Sequence, residues 1–241
     1  MSSNIATNGT FEVSLRRAAI IAGCSLILMA IAAGFSFSYV LTNLVVPGDA
    51  ATTANKIRAS EALFRAGILG FLLVLVCDLL VSWALYIFLA PVNKSLSLLA
   101  ALFRLAYTAV FGTALFNLVL AVRVIHGTEF IAAGMTEQAV AAQVILFLKA
   151  FSDIFAMGLV VFGCHLLVLG YVAFISGSIP KALGVLLLFA GLCYMGSNTA
   201  HILLPNYDNY KATVDMILGL PMAVGELAFA VWLLVKGGKN H

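Results

Sequence analysis

The chain has 241 residues, of which 63% are hydrophobic and only 10% are charged. A water-soluble domain carries roughly a quarter charged residues, so no soluble fold of this length could hide so much apolar surface. The net charge of +3 is scattered along the chain without a basic run, which argues against nucleic acid as a partner. The composition therefore predicts an integral membrane protein whose surroundings are the lipid bilayer.

Six apolar segments follow one another along the chain, separated by short polar connections. Each could cross a hydrocarbon core about 30 Å thick, which needs roughly 20 helical residues. The first segment is too long for the apolar region of a secretory signal peptide, so we interpret it as a retained helix. The predicted spans are 18–41, 63–90, 98–124, 143–176, 180–204 and 214–236. The sequence thus predicts an all-α, polytopic membrane bundle of about six transmembrane helices, forming a single membrane domain over residues 1–241.

Two further features concern the connections and the packing of the helices. The linker 42–62 interleaves small, apolar and charged residues, which favours a short surface helix between the first two spans. Small residues inside the spans predict close contacts between helices. The residues in question are Ala22, Ala30, Gly34, Gly184 and Gly191.

The distribution of basic residues predicts the orientation of the chain. With six spans, both termini lie on the same side as the loops 91–97 and 177–180. The positive-inside rule assigns the side richer in Lys and Arg to the cytoplasm. This side carries Arg16, Arg17, Lys94, Lys181, Lys236 and Lys239. We therefore expect both termini to be cytoplasmic.

Four ionisable residues lie deep within the spans, where a charge costs a few kcal/mol to insert. Counting from the helix ends places Asp78, His165 and Glu226 roughly 15–18 Å from the cytoplasmic interface, at a rise of about 1.5 Å per residue. Arg104 lies closer to the same interface, and its long side chain can reach the same depth. These four residues are the primary candidates for a ligand site or a proton pathway.

Three interpretations of this group remain open. In the first, Arg104 pairs with Asp78 or Glu226 and His165 bonds a neighbouring helix, so that the group only fixes the bundle. In the second, the group forms a polar pathway or a pocket that holds a small-molecule ligand. In the third, Asp78, His165 and Glu226 bind the metal of an intramembrane enzyme.

The sequence offers little support for the enzyme. A single histidine lies at this depth, the HExxH pattern is absent from the sequence, and the motifs of the common nucleophilic enzymes and of nucleotide binding are missing as usable signals. An enzymatic activity is therefore not favoured, and no catalytic residue, metal site or cofactor is predicted.

A second polar group lies nearer the opposite interface. Lys149 and Asp153 are four residues apart and can pair on one helix face, while His201 stands close to the end of the fifth span. The group could line a vestibule on the outer side. An intrahelical ion pair with an interfacial histidine is the favoured alternative. His165 and His201 lie at different depths, which makes them poor partners for a haem.

Three stretches of the chain carry a resemblance to a known family. They read GDAATTANKIRASEALFRAGI (48–68), FGCHLLVLGYVAFISGSIPKALGVLLLFAGLCY (162–194) and GELAFAVWLLVKG (225–237). With these stretches the chain resembles a family of bacterial membrane proteins described as domain of unknown function 4386. The resemblance implies a compact multi-span protein in a bacterial inner membrane, and it names no catalytic residues. His165 and Glu226 lie within the matching stretches.

Two functional hypotheses follow. The first is small-molecule or proton-linked transport, or ligand sensing, through the mid-membrane site. The second is a structural or assembly role in the membrane, in which the same residues only hold helices together. The metal-dependent enzyme is the weakest alternative. The sequence does not indicate an oligomeric state.

Overall fold

The computed structural model describes residues 13–127 and 134–239, and within this part the chain is a bundle of helices. The first helix is α1 (Leu15–Gly34), which continues through a π-helical stretch (Phe35–Leu41) and a last turn (Thr42–Leu44). It is followed by α2 (Ala50–Ala59), α3 (Glu61–Leu89), α4 (Lys94–His126), α5 (Glu137–Ile175), α6 (Lys181–Leu203) and α7 (Asp208–Val235). All of them except α2 contain a stretch long and apolar enough to cross a membrane, which confirms the predicted fold class with six membrane helices.

The helices overlap the six predicted spans, but several begin a few residues earlier. Polar side chains in the connections cap the first turn by accepting a backbone N–H bond. Ser14 caps α1 through the N–H of Arg17, and Asn93 caps α4 through the N–H of Leu96. Thr136 caps α5 in the same way. A hydropathy pattern begins only at the first apolar turn, so it misses the polar turn that each cap adds.

The linker 42–62 contains the short helix α2, which packs mainly against α5. Thr53, Ala54 and Ile57 form its buried face. Asp49 caps the helix, accepting bonds from the backbone N–H and the hydroxyl of Thr52 at 2.9 and 2.6 Å. These hydrogen bonds from Thr52 favour the ionised carboxylate and lower the pKa of Asp49. The end of the bundle that carries α2 is called the α2 end below.

Helices α5 and α6 approach each other so closely that only glycine fits at their contact. A Cβ atom on Gly170 would lie 2.8–2.9 Å from backbone atoms of α6, and one on Gly184 would lie 2.8–2.9 Å from backbone atoms of α5. Seven residues away along each helix, Gly163 of α5 and Gly191 of α6 face each other in the same way. Each helix spaces its two glycines seven residues apart, about two turns, so both glycines lie on the same face. The close backbone approach is typical of small residues at membrane helix contacts.

Among the described residues, α1 and α7 are in tight contact where α1 begins and α7 ends. The Arg16 guanidinium donates hydrogen bonds of 2.6–3.1 Å to three carbonyl oxygens at the end of α7. Next to it, a Cβ on Gly23 would approach Leu234 to 2.7 Å. The start of α1 and the end of α7 therefore lie on the same side of the bundle, which we call the terminal end.

Further along, α1 and α7 separate. Gly34 lies eleven residues, or about three turns, after Gly23 on the same face of α1, yet a Cβ there would have open space around it, as would one on Gly219 of α7. Ala30, on the same face, is exposed. The expected close packing at Ala30 and Gly34 is thus not formed, because the facing part of α7 lies away from α1. We call the resulting opening the α1–α7 crevice.

Candidate functional site

The central feature of the site is an ion pair between α3 and α4. Asp78 and Arg104 are both buried, and Asp78 Oδ1 lies 2.6 Å from Arg104 Nη2. The pair is close but poorly aligned: neither Asp78 oxygen has a well-oriented hydrogen bond within the described chain, and Arg104 Nε has none either. One turn away, the Ser82 hydroxyl donates to the carbonyl of Ala101 at 3.0 Å and also joins α3 to α4.

His165 extends this pair to α5. Its Nε2 atom lies 3.2 Å from Arg104 Nη1, and its Nδ1 atom lies 2.8 Å from the carbonyl oxygen of Ala100. A guanidinium can only donate and a carbonyl can only accept. His165 therefore accepts at Nε2 and donates at Nδ1, which is the arrangement of a neutral imidazole. Together Asp78, Arg104 and His165 form a buried network across α3, α4 and α5.

The rest of the Arg104 surroundings is apolar and polarisable. The guanidinium carbon lies 5.3 Å from the ring centre of Phe162, within the range of a cation–π contact. Arg104 Nη2 also lies 3.8 Å from the sulfur of Met29 on α1. Thr108 donates its hydroxyl to the Arg104 carbonyl at 2.8 Å. The guanidinium is therefore enclosed by protein, which is the setting of a structural ion pair.

Glu226 of α7 has a different environment from Asp78. Its Oε1 atom accepts a hydrogen bond of 3.1 Å from the Tyr194 hydroxyl of α6. Within the ranges that the structure describes, no Lys, Arg or His side chain forms an ion pair with it. Glu226 is only partly buried, whereas Asp78 is fully buried. It is thus the carboxylate of the site that lacks a direct cationic partner.

Asp78 and Glu226 border the same cavity, which has a volume of about 440 Å³. This size falls in the range of small-molecule pockets. We call it the central cavity. Its wall takes residues from all six long helices and is mainly apolar, and it includes Met29, Tyr107, Tyr194, Phe162, Phe111 and Ala223.

A second, more polar space of about 680 Å³ lies toward the α2 end. This outer vestibule is lined by the polar side chains Thr42, Ser152, Ser197, Asn198 and His201. Phe37, Phe155 and Leu159 border both the vestibule and the central cavity, so the two spaces are neighbours.

On the side of the terminal end, Glu226 and Arg104 border a small space of about 10 Å³, at or below what one water molecule needs. Buried apolar side chains surround it, and we call them the apolar seal: Leu26, Leu85, Leu166, Leu169, Leu187 and Phe229. Among the described residues, the apolar seal therefore lies between the central cavity and the terminal end.

The secondary candidates do not form the intrahelical ion pair that the sequence favoured. Lys149 and Asp153 do not pair with each other in the described chain; Asp153 Oδ1 instead lies 3.3 Å from His201 Nε2 on α6. The i, i+4 spacing permits the intrahelical pair, but the neighbouring helix brings His201 to the same carboxylate. His201 also packs edge-on against Tyr207 at 5.3 Å between ring centres. It lines the outer vestibule, and Lys149 is exposed.

The geometry does not fit the metal site considered from the sequence. Both nitrogens of His165 are engaged, Nε2 by the Arg104 guanidinium and Nδ1 by a carbonyl oxygen. Across the described residues, no group of three or more His, Cys, Asp and Glu side chains is arranged to hold a metal ion. A cation already occupies the position between Asp78 and His165, and that cation is Arg104.

Sequence reasoning did not identify three residues as parts of the site. Tyr194 donates a hydrogen bond to Glu226, Tyr107 lines the central cavity, and Phe37 borders both the cavity and the vestibule. Tyr107 could have been found, because it lies three residues after Arg104 on nearly the same helix face. Phe37 lies in the π-helical stretch, whose irregular turn alters which residues face the interior. Such stretches frequently occur at functional sites.

Comparison with known proteins gives a family but no activity. The family model described as "Domain of unknown function (DUF4386)" matches residues 21–237. An uncharacterized protein of the archaeon Archaeoglobus fulgidus is 33% identical over 174 residues, which cover 71% of this chain and 84% of the relative. No solved structure matches the chain. From the match over nearly its whole length, the chain belongs to the DUF4386 family.

Proposed function

We propose that the protein binds a small molecule inside the membrane, for transport or for sensing, and that Glu226 is the group that exchanges a proton or a ligand. The observation that carries this proposal is the position of Glu226: it borders the central cavity and has a tyrosine, but no direct cation, as its partner. An ionised carboxylate in hydrocarbon is costly, so Glu226 must take up a proton or a positively charged group. In both cases Glu226 is a site at which a proton or a cationic ligand binds and is released.

The proposal divides the primary candidates into two roles. Asp78, Arg104 and His165 engage one another and hold α3, α4 and α5 together, which matches the structural hypothesis for these three residues. Glu226 is the member that remains available to a ligand. A purely structural or assembly role for the whole protein would not account for the central cavity and the outer vestibule.

The proposed setting is the cell membrane, the inner membrane in bacteria, with both termini cytoplasmic. Lys and Arg at the terminal end support this orientation by the positive-inside rule. The outer vestibule would then open away from the cytoplasm and the apolar seal would lie on the cytoplasmic side. Passage of a ligand through the protein would require the seal to open, whereas sensing would require only that occupancy of the central cavity moves the helices.

The experiment compares purified wild type with Glu226→Gln by thermal unfolding in detergent. A panel of organic cations, zwitterions, anions and neutral solutes is added in turn, because a ligand that binds only the folded protein raises its melting temperature. We expect at least one class to stabilise wild type and to lose this effect in Glu226→Gln. Glu137→Gln, at the exposed start of α5, serves as the matched control. Equal responses of wild type and Glu226→Gln to every class would contradict the proposal.

A further inference from the structure

We infer that the central cavity takes a lipophilic organic cation with a single positive charge, which pairs with Glu226. This inference rests on the proposed function and adds the chemical class of the ligand. Three properties of the cavity support this ligand class: its charge, its lining and its opening between α1 and α7.

The charge of the site leaves room for one positive charge. Arg104 offsets Asp78 at 2.6 Å. His165 contributes no charge, since its Nε2 accepts from Arg104 and its Nδ1 donates to a carbonyl. Ionised Glu226 therefore leaves the group with a net charge of −1. A ligand with one positive charge restores neutrality in a place where an unpaired charge is expensive, whereas an anion would add a second negative charge.

The lining of the central cavity is suited to a hydrophobic body around that charge. Most of the wall is apolar, and aromatic rings attract cations through their faces at up to about 6 Å. The protein already uses this contact once, between Arg104 and Phe162. Further rings border the cavity: Phe37, Phe71, Tyr107, Phe111, Phe155 and Tyr194. Small hydrated ions such as Na⁺ would instead need several oxygen ligands, and the wall provides few.

The α1–α7 crevice connects the cavity to the region of the lipid chains. Ala30 and Ala33 of α1 and Ala223 and Leu227 of α7 line the cavity from its two sides. Ala30, Ala223 and Leu227 are also exposed, so α1 and α7 do not close off the cavity at these positions. A lipophilic molecule dissolved in the bilayer can therefore reach Glu226 past small apolar side chains, without crossing the polar vestibule.

The test measures binding of tetraphenylphosphonium to the full chain in lipid nanodiscs by equilibrium dialysis. We expect saturable binding at one site per protein. Removing the charge in Glu226→Gln should weaken it about ten- to a hundredfold, the range for loss of a charge-assisted contact. Glu226→Asp retains the charge and should retain most of the affinity, while Glu137→Gln should bind like wild type.

Tetraphenylborate is the matched control ligand, because it has the same shape and the opposite charge. Binding of both ions with equal affinity, or unchanged binding of the cation to Glu226→Gln, would overturn the inference. If tetraphenylphosphonium does not bind but another class in the thermal panel stabilises wild type and not Glu226→Gln, the ligand class is wrong and the proposed function stands. If no class distinguishes the two proteins, both fail.

Discussion

Replacing Arg104 by glutamine should destabilise the protein strongly, because it leaves a carboxylate without its counter-charge in the centre of the bundle. Asp78 is 0% and Arg104 1% exposed at the side chain. Breaking a buried ion pair by removing one partner costs about 3–5 kcal/mol. His165 Nε2 also loses its donor, and a buried unsatisfied acceptor adds about 1–3 kcal/mol. We therefore expect Arg104→Gln to lower the free energy of unfolding by at least about 3 kcal/mol.

Neutralising both Asp78 and Arg104 should restore much of the lost stability. In Asp78→Asn/Arg104→Gln no charge remains unpaired, so the cost of Arg104→Gln should be at least about 2 kcal/mol smaller in the Asp78→Asn background than in wild type. The assay is reversible unfolding in mixed micelles with increasing SDS, followed by far-UV circular dichroism. Costs that agree within about 0.5 kcal/mol in the two backgrounds would mean that the sites do not interact, and would refute the reasoning.

Two further predictions concern the packing and the access route. Gly170→Ala should destabilise by about 1–3 kcal/mol because its Cβ would meet the α6 backbone at 2.8–2.9 Å. Gly196→Ala, where a Cβ meets open space, should be neutral or slightly stabilising in the same SDS titration; equal costs would contradict the glycine contact. In a background without the native cysteines, a membrane-impermeant thiol reagent should label Ser197→Cys in the outer vestibule and leave Leu187→Cys in the apolar seal unlabelled. Equal labelling rates would show that the seal is not closed.

Counting residues at a nearly constant helix rise predicts one level for Asp78, His165 and Glu226, but it does not predict their partners. The structure brings Asp78 and His165 to the same guanidinium, and Asp78 and Glu226 to the same cavity. Choosing between Asp78 and Glu226 as the partner of Arg104 requires the rotation of each helix about its own axis. An error of one residue in a span boundary changes that rotation by about 100°. The pairing with Asp78 therefore became visible only in the structure.

The spacing of residues within one helix gave a wrong pairing where a neighbouring helix brings its own side chain to the same carboxylate. The four-residue interval between Lys149 and Asp153 favours an intrahelical pair, but His201 approaches Asp153 from α6. Likewise, Ala30 and Gly34 are small residues of the kind found where helices pack closely, yet α7 diverges from them. Small residues permit close packing without requiring it, so their pattern alone could not distinguish a closed contact from an open crevice.

The most direct test of the central claim determines which of the two cavity carboxylates, Asp78 or Glu226, takes up a proton and reacts. Carbodiimides modify protonated carboxylic acids within membranes, so dicyclohexylcarbodiimide is applied to the protein in nanodiscs and the modified residues are mapped by mass spectrometry. We expect modification of Glu226, slowed by tetraphenylphosphonium, and no modification of Asp78, because the Asp78 side chain is 0% exposed and lies 2.6 Å from the Arg104 guanidinium. Modification of Asp78 as fast as Glu226, or an unmodified Glu226, would contradict the central claim.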